Sequence, residues 1–383
     1  MAEAEQNPTP GGRRGTRTRR ARVLRAAGLT ALALVLAGVG TAGYVYWTWD
    51  SNIRSVDIDS QLGSGRPSVP ANGSFNVLVL GSDSRSGANG TLAGGTTDGT
   101  ARSDTAMLVH VNQSHSAATV VSIPRDTLVN RPACTAPGGT PVPALAGAMY
   151  NSAFEAGGAA CAVRTTEQLT GLRMNHFIEV DFAGFAGFIN AIGGVTVTTS
   201  VDIHDQDSGL DLPAGTHHLG GDQALAFVRT RHGVGDGSDL GRIELQKEMV
   251  KSIITQVGSI GMFGNPAKLY TVGSTLTRSI TTDSQLASVS ALTGLGEALE
   301  GIGTAHLTMV TMPVVGAPGD PNRVVAQQPQ AGQLWAALRA DEGVPQPGAG
   351  SGPVNPADPT GGAATGATSP AATGSAPPSA PHS

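Results

Sequence analysis

Between Arg25 and Asp50 the chain runs for 24 residues without a charge, AAGLTALALVLAGVGTAGYVYWTW. A helix of that length measures about 36 Å, more than the roughly 30 Å of a bilayer's hydrocarbon layer. The run has no polar face, which argues against a helix in the core of a soluble domain. A cleaved signal peptide is the competing reading, but its apolar stretch is usually about 7–15 residues. The expectation is therefore a transmembrane helix over 26–49. Residues 1–25 hold seven arginines and two glutamates, a net +5, against −10 for the remainder. By the positive-inside rule this basic segment stays in the cytoplasm, and Tyr44, Tyr46, Trp47 and Trp49 form an aromatic belt at the far interface. Everything after about residue 50 is expected outside the cytoplasm, making a single-pass membrane protein.

That placement bears on the two cysteines, Cys134 and Cys161. Outside the cytoplasm two thiols most often pair, and a bridge here would close a Pro/Gly-rich loop. Two separate buried thiols are the alternative. A net charge of −5 over the whole chain argues against a general nucleic-acid binder.

Beyond the anchor, residues 50–71 read as a stalk. Short apolar runs ended by Gly, Pro or polar turns mark strands at 74–81, 105–112 and 117–124, the last two joined as a hairpin by QSHS. Residues 151–171 and 240–258 read as helices, and 220–231 as a helix with a Gly-rich start and arginines at its end. HFIEVDFAGFAGFINAIGG passes from a strand into a short apolar helix. VTVTTSVDI (195–203) alternates as a strand, and 306–314 reads as the last one. His204, His217 and His218 are expected in a solvated polar loop. Strands alternating with helices imply an α/β domain over 72–335, in layers of helix, central mixed sheet and helix. From 341 to 383 the Pro/Ala/Gly/Ser tail has too little apolar surface to order itself.

Charges collect where these elements end. Asp83 and Arg85 follow the first strand in GSDSR; Arg102 and Asp104 precede the second in RSDT. Arg125 and Asp126 follow the third in SIPRDT. The stretch RTRHGVGDGSDLGRIELQ supplies Arg229, Arg231, Arg242 and Gln246. In open α/β sheets ligands collect beyond the carboxyl ends of strands. A guanidinium offers phosphate oxygens a planar fork and stays charged. Several converging would hold a pyrophosphate. Two carboxylates such as Asp83 and Asp104 would tolerate that company only with a cation between them, and Mg²⁺ takes one or two carboxylates plus phosphate oxygens. Each Arg–Asp pair alone could be a surface ion pair worth about 0–1 kcal/mol. Four such segments, all at element ends, are less easily explained that way.

With these residues in view, the chain resembles the LytR-CpsA-Psr family, membrane-anchored enzymes of Gram-positive cell walls. NVLVLGSDSR, RSDTAMLV, VVSIPRDT, NSAFEAGG, VDFAGFAGFINAIGGV, GTHHLGGDQALAFVRTRH and DLGRIELQ follow one another in the family's order over about 74–258. The resemblance implies a phosphotransferase that moves a glycopolymer from a polyprenyl-pyrophosphate lipid carrier to a peptidoglycan hydroxyl, as a phosphodiester. It implies Asp83 and Asp104 as ligands of Mg²⁺ (or Mn²⁺), Arg85, Arg125, Arg229 and Arg231 around pyrophosphate, and Arg242 and Gln246 completing the pocket, with Arg102 assisting substrate binding. The apolar segments FAGFAGFINAIGG and ALAF would line a place for the isoprenoid tail, or serve as ordinary core. The chain departs from the family at Leu245, where an arginine usually precedes Gln246, and at Met149, where a basic residue is usual. A non-catalytic polyprenyl-pyrophosphate binder and a pyrophosphatase that releases the polymer use the same residues. A transcriptional role fits poorly, since only about 25 residues lie on the cytoplasmic side.

Overall fold

The computed structural model describes residues 15–82, 103–230, 239–259, 265–300 and 302–344. The tail expected from 341 onward lies outside them after residue 344. The expected membrane run belongs to one helix, Gly15–Asn52, whose stretch Arg22–Asn52 is long and apolar enough to cross a membrane. At 38 residues it measures about 57 Å, longer than the roughly 30 Å of a hydrocarbon layer.

Seven strands form a mixed sheet in the order Arg54–Val56, Ile280–Asp283, His176–Asp181, Phe75–Ser82, Ser103–Val111, Ala118–Ser122, Leu307–Thr311. The expected hairpin is present: 103–111 and 118–122 pair antiparallel, with Met107 opposite Ser122. Strands 75–82 and 176–181 run parallel, as do 118–122 and 307–311. The pairings therefore bring Ser82, Ser122, Asp181 and Thr311 to one edge as strand ends, and Ser103, Ile280 and Arg54 to the same edge as strand starts. That edge is where the charged motifs emerge.

Helices cover both faces, as the layered expectation requires. On one, Leu78, Leu80, Leu108, Val121 and Phe177 pack against helices Ser152–Thr170 and Gln330–Arg339. On the other, Phe75, Val109, Val111 and Leu307 meet Leu299 and Ile302, next to helix Val289–Glu300. A third cluster joins Ile189 and Ile192 of helix Phe182–Ile192 to Val195, Val197, Phe227, Leu245 and Met249. Helix 182–192 starts because the Asp181 carboxylate accepts the Gly184 N–H at 2.7 Å, and it stops at Gly193, whose φ of 92° suits glycine. Cys134 and Cys161 are bridged. Helix 152–170 kinks at Gly157–Gly158 beside the bridge, where a Cβ on Gly157 would lie 2.7 Å from that of Cys161.

Two sequence expectations change. Residues 50–71 are not a free stalk. Arg54–Val56 adds the edge strand, Ile58 and Leu62 enter the main core, and Arg66 forms a buried ion pair with Glu167 at 2.7 Å. The segment is polar enough to read as linker because its partners lie over a hundred residues away. His204, His217 and His218 sit on strands rather than in a loop. The ribbons Ile203–Asp205 with Leu210–Leu212 and Val195–Thr199 with Gly215–Leu219 form because Ile203, Leu210, Leu212 and Leu219 all bury. For the same reason the strand expected over 195–203 breaks after Thr199 and restarts with a new partner.

Candidate functional site

Thr105 is set two residues into strand 103–111, opposite Gly81. A Cβ on Gly81 would sit 3.2 Å from that of Thr105, so glycine lets the threonine approach the strand end. Gln246 Nε2 donates to Thr105 Oγ1 at 2.9 Å and to Val228 O at 3.3 Å. One amide thus ties helix Asp239–Ser259, the sheet and helix Gly221–Arg229 together. Arg242 and Gln246, four residues apart, project from one face of their helix and are 3% and 5% exposed.

These residues bound a cavity of about 210 Å³, lined by Thr105, Phe182, Asp205, Asp207, Ser208, Val228, Arg229, Arg242 and Gln246. Phe182 opens the helix capped by Asp181. The Arg229 guanidinium carbon stands 5.5 Å from the centre of its ring, a cation–π contact that holds the charge in place. Arg229 ends its helix, where a cation complements the exposed carbonyls. Thr230, fully buried, accepts or donates with Ser208 Oγ at 2.8 Å and fastens the ribbon turn to that helix end.

Of the residues expected from sequence, Arg229, Arg242 and Gln246 share this cavity. Arg125 is not among its lining residues. It lies beyond strand 118–122, with Nε 3.4 Å from Asp126, which also pairs with Arg323 at 3.4 Å. Asp104 lies within strand 103–111, its side chain outside the described residues. Asp83, Arg85, Arg102 and Arg231 likewise fall outside them. The register sets Ser82 opposite Ser103, so the chain positions that Asp83 follows and Asp104 occupies belong to adjacent strand ends. Among the described residues no cluster of three or more acidic, His or Cys side chains forms another candidate.

The sequence reading missed Asp205, Asp207 and Ser208, whereas Phe182 lies in the apolar segment FAGFAGFINAIGG that it assigned to a tail lining or to core. Asp205 is buried and its Oδ1 accepts the N–H groups of Asp207 and Ser208 at 2.9 and 3.3 Å. The signal was present in HDQDSG, an Asp two residues before another with a turn between. Only the ribbon's folding back brings it beside the arginines. The wall therefore carries two guanidiniums and two carboxylates.

Nearby, Glu179 lies beside the same sheet edge. Burial pushes its carboxyl above the ordinary range, against a hydrogen bond with Ser82 and the charge of Arg54, while Asp181 raises it further. At the opposite end of the sheet burial raises Asp283, but the hydrogen bond and charge of His176 and the N–H groups of Phe177 and Gln285 outweigh it and leave the carboxyl below the usual range.

Comparison with known proteins places these features in context. The LytR_cpsA_psr family matches residues 45–340. The cell wall biosynthesis protein LcpA of Corynebacterium glutamicum is 31% identical over 324 residues, covering 76% of this chain and 59% of LcpA. The probable cell wall biosynthesis protein LcpB of the same organism is 32% identical, and 54% of it is covered. The chain thus spans somewhat over half of those two proteins. The polyisoprenyl-teichoic acid–peptidoglycan teichoic acid transferase TagT of Bacillus subtilis is 33% identical over 248 residues, 61% of this chain and 70% of TagT. Among solved structures, a LytR-Csp2A-Psr enzyme from Actinomyces oris aligns with a TM-score of 0.56 at 23% identity over 75% of this chain and 95% of that one. TagT bound to LIIa-WTA aligns at 0.52 and 25%, over 74% and 96%.

Proposed function

Because the chain belongs to the LytR-CpsA-Psr family, we propose that it transfers a glycopolymer from a polyprenyl-pyrophosphate carrier to a hydroxyl of peptidoglycan. The acceptor oxygen bonds to the sugar-bearing phosphorus, the P–O bond toward the carrier's second phosphate breaks, and polyprenyl phosphate leaves. The hydroxyl proton passes to a base. The observation that carries this reading is the convergence of Arg229 and Arg242, from two helices, on one cavity beside the strand ends.

In this scheme Arg229 and Arg242 bind phosphate oxygens and stabilise charge developing on the transferring group. Gln246, whose amide N–H groups are engaged by Thr105 and Val228, holds the two helices in register. Arg231, two residues after Arg229, and Arg85, Arg102 and Arg125 complete the pyrophosphate-binding set in this scheme. Asp83 and Asp104 would hold Mg²⁺ (or Mn²⁺), which supplies neutralisation of pyrophosphate charge when bound. The N-terminus lies in the cytoplasm and the catalytic domain outside, an orientation supported by the arginines of residues 1–25.

The test is transfer of a lipid-pyrophosphate-linked glycan to peptidoglycan by the full chain in detergent, counting wall-linked and free polymer separately. Arg229→Ala should lower transfer by about 10²–10³-fold, the usual cost of one transition-state donor. Undiminished transfer removes Arg229 from the site. Free polymer without linkage makes the protein a pyrophosphatase, and lipid binding without turnover makes it a carrier-binding protein.

A further inference from the structure

The anchor helix does more than tether. Its last turn is docked into the folded domain. The indole of Trp49 lies over Gly273 of helix Pro266–Ser279, so closely that a Cβ there would come within 2.5 Å of the ring. Trp49 Nε1 donates to Ser274 Oγ at 2.8 Å, and the ring stacks on Tyr270 with centroids 6.3 Å apart. Around it, Asn52 Nδ2 reaches Thr277 Oγ1 at 3.5 Å and the Asp50 carboxylate accepts the Val289 N–H at 3.0 Å. Immediately after the helix, Arg54 begins the edge strand. It donates to the Asp181 carboxylate at 2.9 Å and to Arg278 O at 3.3 Å.

Asp181 is the cap of helix 182–192, and the next residue, Phe182, is the cavity wall beneath Arg229. Two residues therefore separate the membrane anchor from the site: Arg54 and Asp181. Strand 54–56 also starts at the sheet edge that bears the charged motifs, so the membrane exit and the cavity lie at the same end of the sheet. A flexible tether would need none of these contacts. A glycine in the middle of helix 266–279 is unfavourable by about 1 kcal/mol relative to alanine, and here it makes room for the indole.

We propose that Trp49, seated over Gly273, is a positioning residue: it locks the anchor to the domain so that the cavity is presented at the bilayer surface to a pyrophosphate borne by a membrane-embedded lipid. The inference deepens the transferase reading and rests on it for the substrate, though not for the lock. A locked anchor reduces the orientations the domain must search before the headgroup enters, which favours reaction with an embedded substrate and is irrelevant to a soluble one.

The test uses the full chain in nanodiscs, with a long-chain embedded carrier substrate and a short-chain soluble analogue. Trp49→Ala and Gly273→Leu should lower kcat/KM for the embedded substrate by about 10–100-fold and leave the soluble analogue's kcat unchanged, with Trp49→Phe recovering most of the loss. A second readout needs no activity. Spin labels on Thr41→Cys and Gln223→Cys, the native cysteines being bridged, should give one narrow distance distribution that broadens in Gly273→Leu. A broad distribution in the parent protein, equal loss on both substrates, or no loss on either overturns the proposal. A parent protein that turns over neither substrate yet keeps the narrow distribution refutes the transferase reading and leaves the lock standing.

Discussion

Replacing Arg66 by Ala tests whether the segment after the anchor belongs to the fold. The Arg66 guanidinium reaches both Glu167 oxygens, at 3.0 and 3.1 Å from Nε and 2.7 Å from Nη2, and also donates to Met174 O at 2.8 Å. Its side chain is 5% exposed and that of Glu167 3%. The third partner, Asp59, is half exposed and contributes about 0–1 kcal/mol. Removing Arg66 leaves the Glu167 carboxylate buried with the Met174 N–H at 3.0 Å as its remaining described donor. Losing one partner of such a pair costs about 3–5 kcal/mol, or a fall of about 6–20 °C in Tm at roughly 2–4 °C per kcal/mol. Thermal and urea unfolding of the detergent-solubilised chain, followed by circular dichroism, measures it. Arg66→Met combined with Glu167→Leu should recover most of the loss, because neither charge is then stranded. A loss under about 1 kcal/mol, typical of surface pairs, would falsify the claim that this segment is integral to the domain.

Opening the Cys134–Cys161 bridge with paired serines should cost about 3–4 kcal/mol by the chain-entropy relation for a separation of 27 residues. Equal urea midpoints with and without reductant would contradict this. Gln246→Ala removes two described hydrogen bonds and should lower stability by about 1–2 kcal/mol; an unmoved Tm would show that the amide is not the tie between the two helices. Glu179 has a folded pKa raised above its ordinary value, so its contribution is fully present below the unfolded pKa of 4.5 and is lost as pH rises through the folded one. Glu179→Gln should therefore gain on the parent as pH rises from 4.5 through the folded value; a constant difference across that range refutes the assignment. Asp283 has the opposite sign: its lowered pKa gives stability present above 3.8 and lost as pH falls through the folded value. Asp283→Asn should remove that acid-dependent loss, and parallel acid unfolding curves for the two proteins would count against it.

The membrane helix, the β-hairpin, the helix capped by Asp181 and the α/β layering were all legible in the chain, because each follows from local rules. An uncharged run, a period of two or 3.6, a cap or a glycine stop is written in neighbouring residues. The family resemblance drew on the same blocks, and it directed attention to Arg229, Arg242 and Gln246. What tertiary structure decided was who meets whom. Gln246 reaches Thr105 across 141 residues, and Asp205 becomes a cavity wall only when alternate apolar residues fold its ribbon back. Arg66 stops being linker when it finds Glu167, and Trp49 stops being only belt when it finds Gly273. These contacts depend on strand register and helix placement, which are set by the burial of the whole apolar set at once. No window of sequence holds that information, since the free energy that selects each partner is shared among residues far apart in the chain.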